Sequence, residues 1–159
     1  QIANGGYKIY PKILTENDKS NYPEDKFKPL FKNSKNIKIV HDAMFSSTNE
    51  VMGTSYRSRI NDPKYQFAGK TGTAQVKRIT EKDRELDLKT FEIPYEERDH
   101  ALYVAFGPYK NPRYALSIVV EHGGNGSTTA APMAKKLFKL IIDRHSLRQN
   151  INQKKYMEI

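Results

Sequence analysis

Tyr65-Gln66-Phe67-Ala68-Gly69-Lys70-Thr71-Gly72-Thr73-Ala74-Gln75-Val76 is the one stretch of this chain that joins a strand-like apolar pattern to side chains that chemistry can use. Phe67, Ala74 and Val76 suit a buried strand, while Gly69 and Gly72 clear space for another backbone, a helix or a ligand. Alternate side chains of an extended chain face opposite ways, so Lys70 and Gly72 share one face and Thr71 and Thr73 the other. An ammonium group, two hydroxyls and bare backbone form a receptor for an anion, because a carboxylate strengthens each hydrogen bond it accepts. A phosphate loop is excluded: Lys64 stands where the first glycine of G-x-x-x-x-G-K-[ST] belongs. A plain edge strand with a solvated lysine is the competing reading.

Moving outward toward the N-terminus, Asn61-Asp62-Pro63 sets a turn. Before it, Ile37, Val40, Ala43, Met44, Val51 and Met52 recur on one face of a helix expected over about 35–53, capped by Asn33 or Ser34 and stopped by Gly53. Its methionines read as core filler, and His41 lacks a second metal ligand at i+4, where Phe45 stands. Gln1 to Asn4 followed by Gly5-Gly6 has the form of a helix end. Tyr7 to Leu14 is expected as a short strand or arm that Pro11 confines to an edge, and Thr15 to Leu30 as a surface loop.

Toward the C-terminus, the interleaved charges from Glu81 to Asp99 cannot enter a core and predict a long loop. Ala101–Phe106 and Tyr114–Val120 are apolar runs flanking a Gly107-Pro108 turn, hence a hairpin, with His100 a hydrogen-bonding residue at its entrance. Glu121-His122-Gly123-Gly124-Asn125-Gly126-Ser127 reads as a flexible connection. Thr128 or Thr129 then caps a helix over about 128–145, with Met133, Leu137, Phe138, Leu140, Ile141 and Ile142 as its buried stripe. The fold class is α+β: antiparallel strands at about 65–79, 100–107 and 113–122, with the second helix packed on the sheet.

Composition limits the classes of function. With 37% hydrophobic and 28% charged residues and no tryptophan, the chain has a thin core and a strongly hydrated surface. A net charge of +9 invites nucleic acid or an anionic surface, but the lysines are spread from Lys8 through Lys38 with no nucleic-acid motif. Without cysteine there is no disulfide framework or thiolate metal site. No apolar run approaches the ~20 residues of a spanning helix.

Lys-Thr-Gly, with Ser-x-x-Lys and a Ser-x-Asn motif, marks the serine β-lactamases and penicillin-binding proteins. Gly69-Lys70-Thr71-Gly72-Thr73-Ala74-Gln75-Val76 resembles the corresponding segment of class B penicillin-binding proteins, the D,D-transpeptidases that cross-link peptidoglycan. Asp99-His100-Ala101, Phe106-Gly107-Pro108-Tyr109, Glu121-His122-Gly123-Gly124 and Ala130-Ala131-Pro132 follow in the order of the elongation-type members. The likeness covers roughly residues 1–143. No Ser-x-x-Lys occurs, and Ser34-Lys35-Asn36 spells the Ser-x-Asn motif in the wrong place. The resemblance therefore implies the C-terminal part of a transpeptidase domain at 1–145, entered in mid-helix, with a polar basic tail at 146–159 that frays.

For chemistry, the resemblance implies that a serine elsewhere attacks a D-Ala-D-Ala stem peptide. Lys70 and Thr73 have catalytic roles, Lys70 through its positive field and Thr73 through an oxyanion-hole N–H. Lys70, Thr71, Gly72, Thr73, Ala74 and Gln75 line the substrate strand, with the hydroxyls of Thr71 and Thr73 on the terminal carboxylate. No metal or cofactor is implied. The implied partners are peptidoglycan stem peptides, β-lactam antibiotics, the N-terminal part of the same protein and cell-elongation complex proteins, with no nucleic acid. The implied location is the bacterial inner membrane, facing the periplasm, with the anchor elsewhere. Two other classes fit parts of the pattern: a non-catalytic penicillin-binding-like sensor and, further off, a basic nucleic-acid-binding module.

Overall fold

Ala101–Phe106 lies in the middle strand of a three-stranded antiparallel sheet in the computed structural model, which describes residues 1–11, 27–78, 81 and 88–157. The strands β1 (Ala68–Ala74), β2 (His100–Gly107) and β3 (Tyr114–Val120) lie in the order β1-β2-β3. Ala68 stands opposite Phe106 and Ala74 opposite His100, while Ala101 faces Val120 and Gly107 faces Tyr114. Ala101, Tyr103 and Ala105 are buried on one face of β2. The two alanines are small enough for a helix to approach the sheet closely there.

The helix that does so is α2 (Ala131–Met157), which presents Ala131, Ala134, Phe138 and Ile142 to the core at helical spacing. Phe138 stacks on Phe67 at 4.8 Å, and Phe67 meets Tyr103 edge-on at 6.4 Å. Full burial of such side chains contributes roughly 1.5–3 kcal/mol each. Because the alanines face inward, the buried stripe is rotated from the one expected: Met133, Leu137 and Leu140 are exposed. The helix also starts later and runs past residue 145 to Met157. Neither Thr128 nor Thr129 caps it. A π-helical turn, Gly126–Ala130, precedes it, and Asn125 caps that turn by accepting the Ser127 N–H at 2.7 Å.

Two compact units divide the chain, Gln1–Ala43 and Met44–Ile159. In the first, Gly6 N donates to Gln1 O and Gly5 N to Ile2 O, the paired bonds that close a helix end, with both glycines at φ near +88°. Tyr7 bridges Pro29, and His41 Nε2 bonds the Ile2 carbonyl. The expected arm beyond Pro11 and most of the loop to Leu30 lie outside the described residues, as do residues 82–87 of the charged segment. Its described part carries short 3-10 turns at Thr90–Glu92 and Tyr95–Glu97.

The helix α1 (Ser34–Asn49) opens where Asn33 Oδ1 accepts the Lys35 N–H, and it ends earlier than its periodicity suggested. Ser55 terminates it by donating both N–H and Oγ–H to the Ser47 carbonyl. Val51 and Met52 therefore fall outside the helix, and Met52 is 95% exposed rather than core filler.

Candidate active site

Strand β1 is shorter than 65–79 because Val76 turns its N–H to the Asp99 carboxylate instead of a ladder partner. Val76 is exposed there, not buried. The start of the strand is pinned by the end of α1. Thr48 Oγ1 accepts the Gly69 N–H at 3.1 Å, and Asn49 Nδ2 donates to the Phe67 carbonyl at 2.9 Å. Thr48 and Ser55 also lie 2.9 and 3.1 Å from the Tyr103 hydroxyl, forming a buried hydroxyl cluster behind the strand. Burial raises the Tyr103 phenol above its ordinary value of 10.0, opposed by its hydrogen bonds to Ser55 and Thr48. Gly69 is required at this point, since a Cβ would lie 2.3 Å from the Tyr103 hydroxyl oxygen.

Those bonds also fix which edge of β1 is free. The Gly69 N–H and the Phe67 carbonyl point to α1, away from β2, and strand alternation aims the N–H groups of Thr71 and Thr73 the same way. By register, Thr71 and Thr73 share the face of Tyr103 and Ala101, while Lys70 stands with Val104 and Ser117 on the opposite face. The lysine bends over the edge: Nζ donates to the Thr71 carbonyl at 2.8 Å and to Thr71 Oγ1 at 3.4 Å. Ammonium and hydroxyl thus meet although their Cβ atoms diverge. Lys70 and Thr73 are exposed, Thr71, Gly72 and Ala74 are half-buried, and Gln75 is exposed just past the strand.

A second layer lies behind the strand. The Glu121–Ser127 segment, expected to be a flexible connection, is bonded along its length. Gly124 N donates to Asp99 O, Thr129 Oγ1 donates to Gly123 O, and Ser127 Oγ donates to Asn125 Oδ1. His122, at φ 54°, donates its N–H to His100 Nδ1 at 2.9 Å, which assigns the His100 N–H to Nε2. His100 thus makes the hydrogen bond expected at the strand entrance. Gly126 lies against the two strands so closely that a Cβ would sit 2.4 Å from Leu102 O and 2.6 Å from Gly72 O. Sequence reading missed Gly126, Thr48, Ser55 and Tyr103 as supports. The run of glycines after β3 was the available signal for the first, and nothing local marked the others.

Among the described residues no three His, Cys, Asp or Glu side chains gather to hold a metal, and no helix is long and apolar enough to cross a membrane. The arrangement can do one kind of chemistry on its own: receive an extended, anion-terminated chain along a strand edge that offers amide donors, hydroxyls and an ammonium group.

The family model described as the penicillin binding protein transpeptidase domain matches residues 1–139. The peptidoglycan D,D-transpeptidase MrdA of Salmonella typhimurium is 38% identical over 105 residues, which is 66% of this chain and 16% of that protein. Pseudomonas aeruginosa PBP2, solved in complex with WCK 5153, superimposes with a TM-score of 0.64 at 28% identity, covering 87% of this chain and 27% of that one. Helicobacter pylori PBP2, solved in complex with MreC, gives a TM-score of 0.50 at 35% identity over 67% of this chain and 18% of that one. The α+β class and the antiparallel sheet agree with these relatives, and the chain belongs to the penicillin-binding protein transpeptidase domain family.

Proposed function

We propose that this chain forms one wall of the active site of a peptidoglycan D,D-transpeptidase of the elongation type. The observation that carries the reading is the open edge of β1, where Lys70 meets Thr71 on a strand that α1 holds at its start and where strand alternation also aims the Thr73 N–H. The MrdA relatives support the reaction, and the transpeptidase family match supports the substrate. A stem peptide ending in D-Ala-D-Ala lies along that edge. The hydroxyls of Thr71 and Thr73 bond its terminal carboxylate, Lys70 adds a positive field, and Gly72, Ala74 and Gln75 complete the strand.

The nucleophile is a serine outside these 159 residues, since no Ser-x-x-Lys occurs within them. Its Oγ bonds the penultimate carbonyl carbon while the C–N bond to the last residue breaks, and D-alanine leaves with the proton on its amine. The Thr73 N–H steadies the oxyanion, and removing such a donor typically slows acyl transfer about 10²–10³-fold. An amine of a neighbouring stem then attacks the ester, its C–N bond forms, and the serine recovers its proton. β-Lactams acylate the same serine. The location is the bacterial inner membrane with the catalytic domain in the periplasm. Elongation-complex proteins are partners, as MreC is for the Helicobacter pylori relative.

A fluorescent penicillin tests this. The intact protein should become covalently labelled and the 159-residue chain should not. Labelling of the short chain would overturn the assignment of the nucleophile, and an unlabelled intact protein would overturn the enzyme reading.

A further inference from the structure

We propose that the cleft between the Tyr56–Ser58 turn and the N-terminal part of α2 is a binding site for a phosphate group, separate from the Lys70–Thr73 edge. The cleft measures about 840 Å³. Arg57 stands on one wall with Thr54 and Tyr56, and Lys135, Lys136 and Lys139 on the other, and no carboxylate lines it. Arg57, Lys135 and Lys136 have no ion pair among the described residues. Asp143, one turn beyond Lys139, is bonded to Lys64 and Tyr65 and also attracts the Lys139 ammonium.

Both walls are fixed by the core. Buried Ser55 and Ser58 hold the turn that carries Arg57, Ser55 through Ser47 O and Ser58 through its N–H to Ser55 O. Ala134 and Phe138, fully buried, set the rotation of α2 and hence of its lysines. The Arg59 guanidinium lies 3.8 Å over the ring of Tyr56, which lines the cleft. Four cations around one hollow repel one another, and an anion between them relieves that repulsion. A phosphate suits this set of groups better than a carboxylate. Its several oxygens can take an arginine fork, lysine point charges and hydroxyls at once, whereas a carboxylate has two oxygens.

Pyrophosphate is the probe, followed by calorimetry with the 159-residue chain. Saturable binding of one molecule per chain is expected. Replacing Arg57→Gln together with Lys135→Gln should weaken it about tenfold or more, the loss of at least one charge-assisted bond. Lys32→Gln with Lys35→Gln removes the same charge from exposed positions in the first unit and should change affinity less than about twofold. Absence of saturable binding, or equal weakening by both pairs in folded protein, overturns the site. Vesicles of phosphatidylglycerol with phosphatidylcholine identify the source. If the parent chain sediments with them and the Arg57/Lys135 variant does not, the phosphate is a lipid headgroup. If the parent ignores them yet binds pyrophosphate, the phosphate is a soluble one.

Discussion

Gly126→Ala should destabilise the second unit although it adds only one methyl group. The new Cβ would lie 2.4 Å from Leu102 O, 2.6 Å from Gly72 O and 3.3 Å from Gly72 N, all of them backbone atoms. No rotamer change relieves the contact. Either the turn before α2 or the β1–β2 pair must retreat by roughly 0.6 Å to open the shortest contact to a tolerable one, and overpacking of this kind typically costs about 1–3 kcal/mol. At this chain length that corresponds to a melting temperature lower by roughly 2–12 °C. Urea unfolding followed by tyrosine fluorescence measures it, since the chain has ten tyrosines and no tryptophan. Gly72→Ala is the comparison. Its Cβ would meet only the Leu102 side chain, at 3.2 and 3.7 Å, so its loss should stay below about 1 kcal/mol. If Gly126→Ala unfolds at the parental midpoint, or Gly72→Ala suffers more, the close seating of that turn under the strands is wrong.

Tyr103→Phe removes the hydroxyl shared with Thr48 and Ser55 and should lower stability by about 1–3 kcal/mol, read from the urea midpoint. The same variant has a pH signature. The folded phenol is raised above 10.0, so its contribution is complete below pH 10 and falls as pH rises from there through the folded value. Tyr103→Phe should therefore flatten the alkaline loss of stability, and an unchanged slope would contradict the buried phenol. Asn125→Ala deletes the acceptor of Ser127 N and Oγ and should lose about 1 kcal/mol with faster amide exchange at Ser127, while Asn125→Asp keeps both bonds and most of the stability. In the intact protein, Lys70→Ala should slow acylation by a fluorescent penicillin by about 10²-fold or more, with the unfolding midpoint unmoved because Lys70 is exposed. Full-speed acylation would remove Lys70 from the chemistry.

The β2–β3 hairpin was legible because both strands are short apolar runs separated by glycine and proline, so alternation and turn chemistry agree. β2 runs from His100 to Gly107, where the pattern put it. The ends of the helices were harder to read. Val51 and Met52 continue the apolar spacing of α1, but Ser55 takes the Ser47 carbonyl and closes the helix first. No propensity scale contains that bond. The stripe of α2 was misplaced for a related reason: periodicity favours the largest apolar groups, whereas the sheet needed Ala131 and Ala134 to let the backbone come close, leaving Leu140 in solvent. The motif around Lys70 was visible in sequence. The supports Thr48, Ser55 and Tyr103 come from three separate segments and meet only in the fold.

Strand alternation sets Lys70 against Thr71 and Thr73, which at first sight divides the candidate site between two faces of a sheet. The division disappears at an edge. Because β1 pairs with β2 on one side only among the described residues, a ligand lying along its other side can touch groups from both faces, and the lysine already reaches across to Thr71. An interior strand with the same sequence could not work this way, since its amides would be committed to both neighbours. An exposed edge also invites pairing with other chains, which a bulky charged side chain discourages. On the proposed reading Lys70 has two compatible duties at one position, guarding the edge against stray strands and drawing in an extended chain that ends in a negative charge.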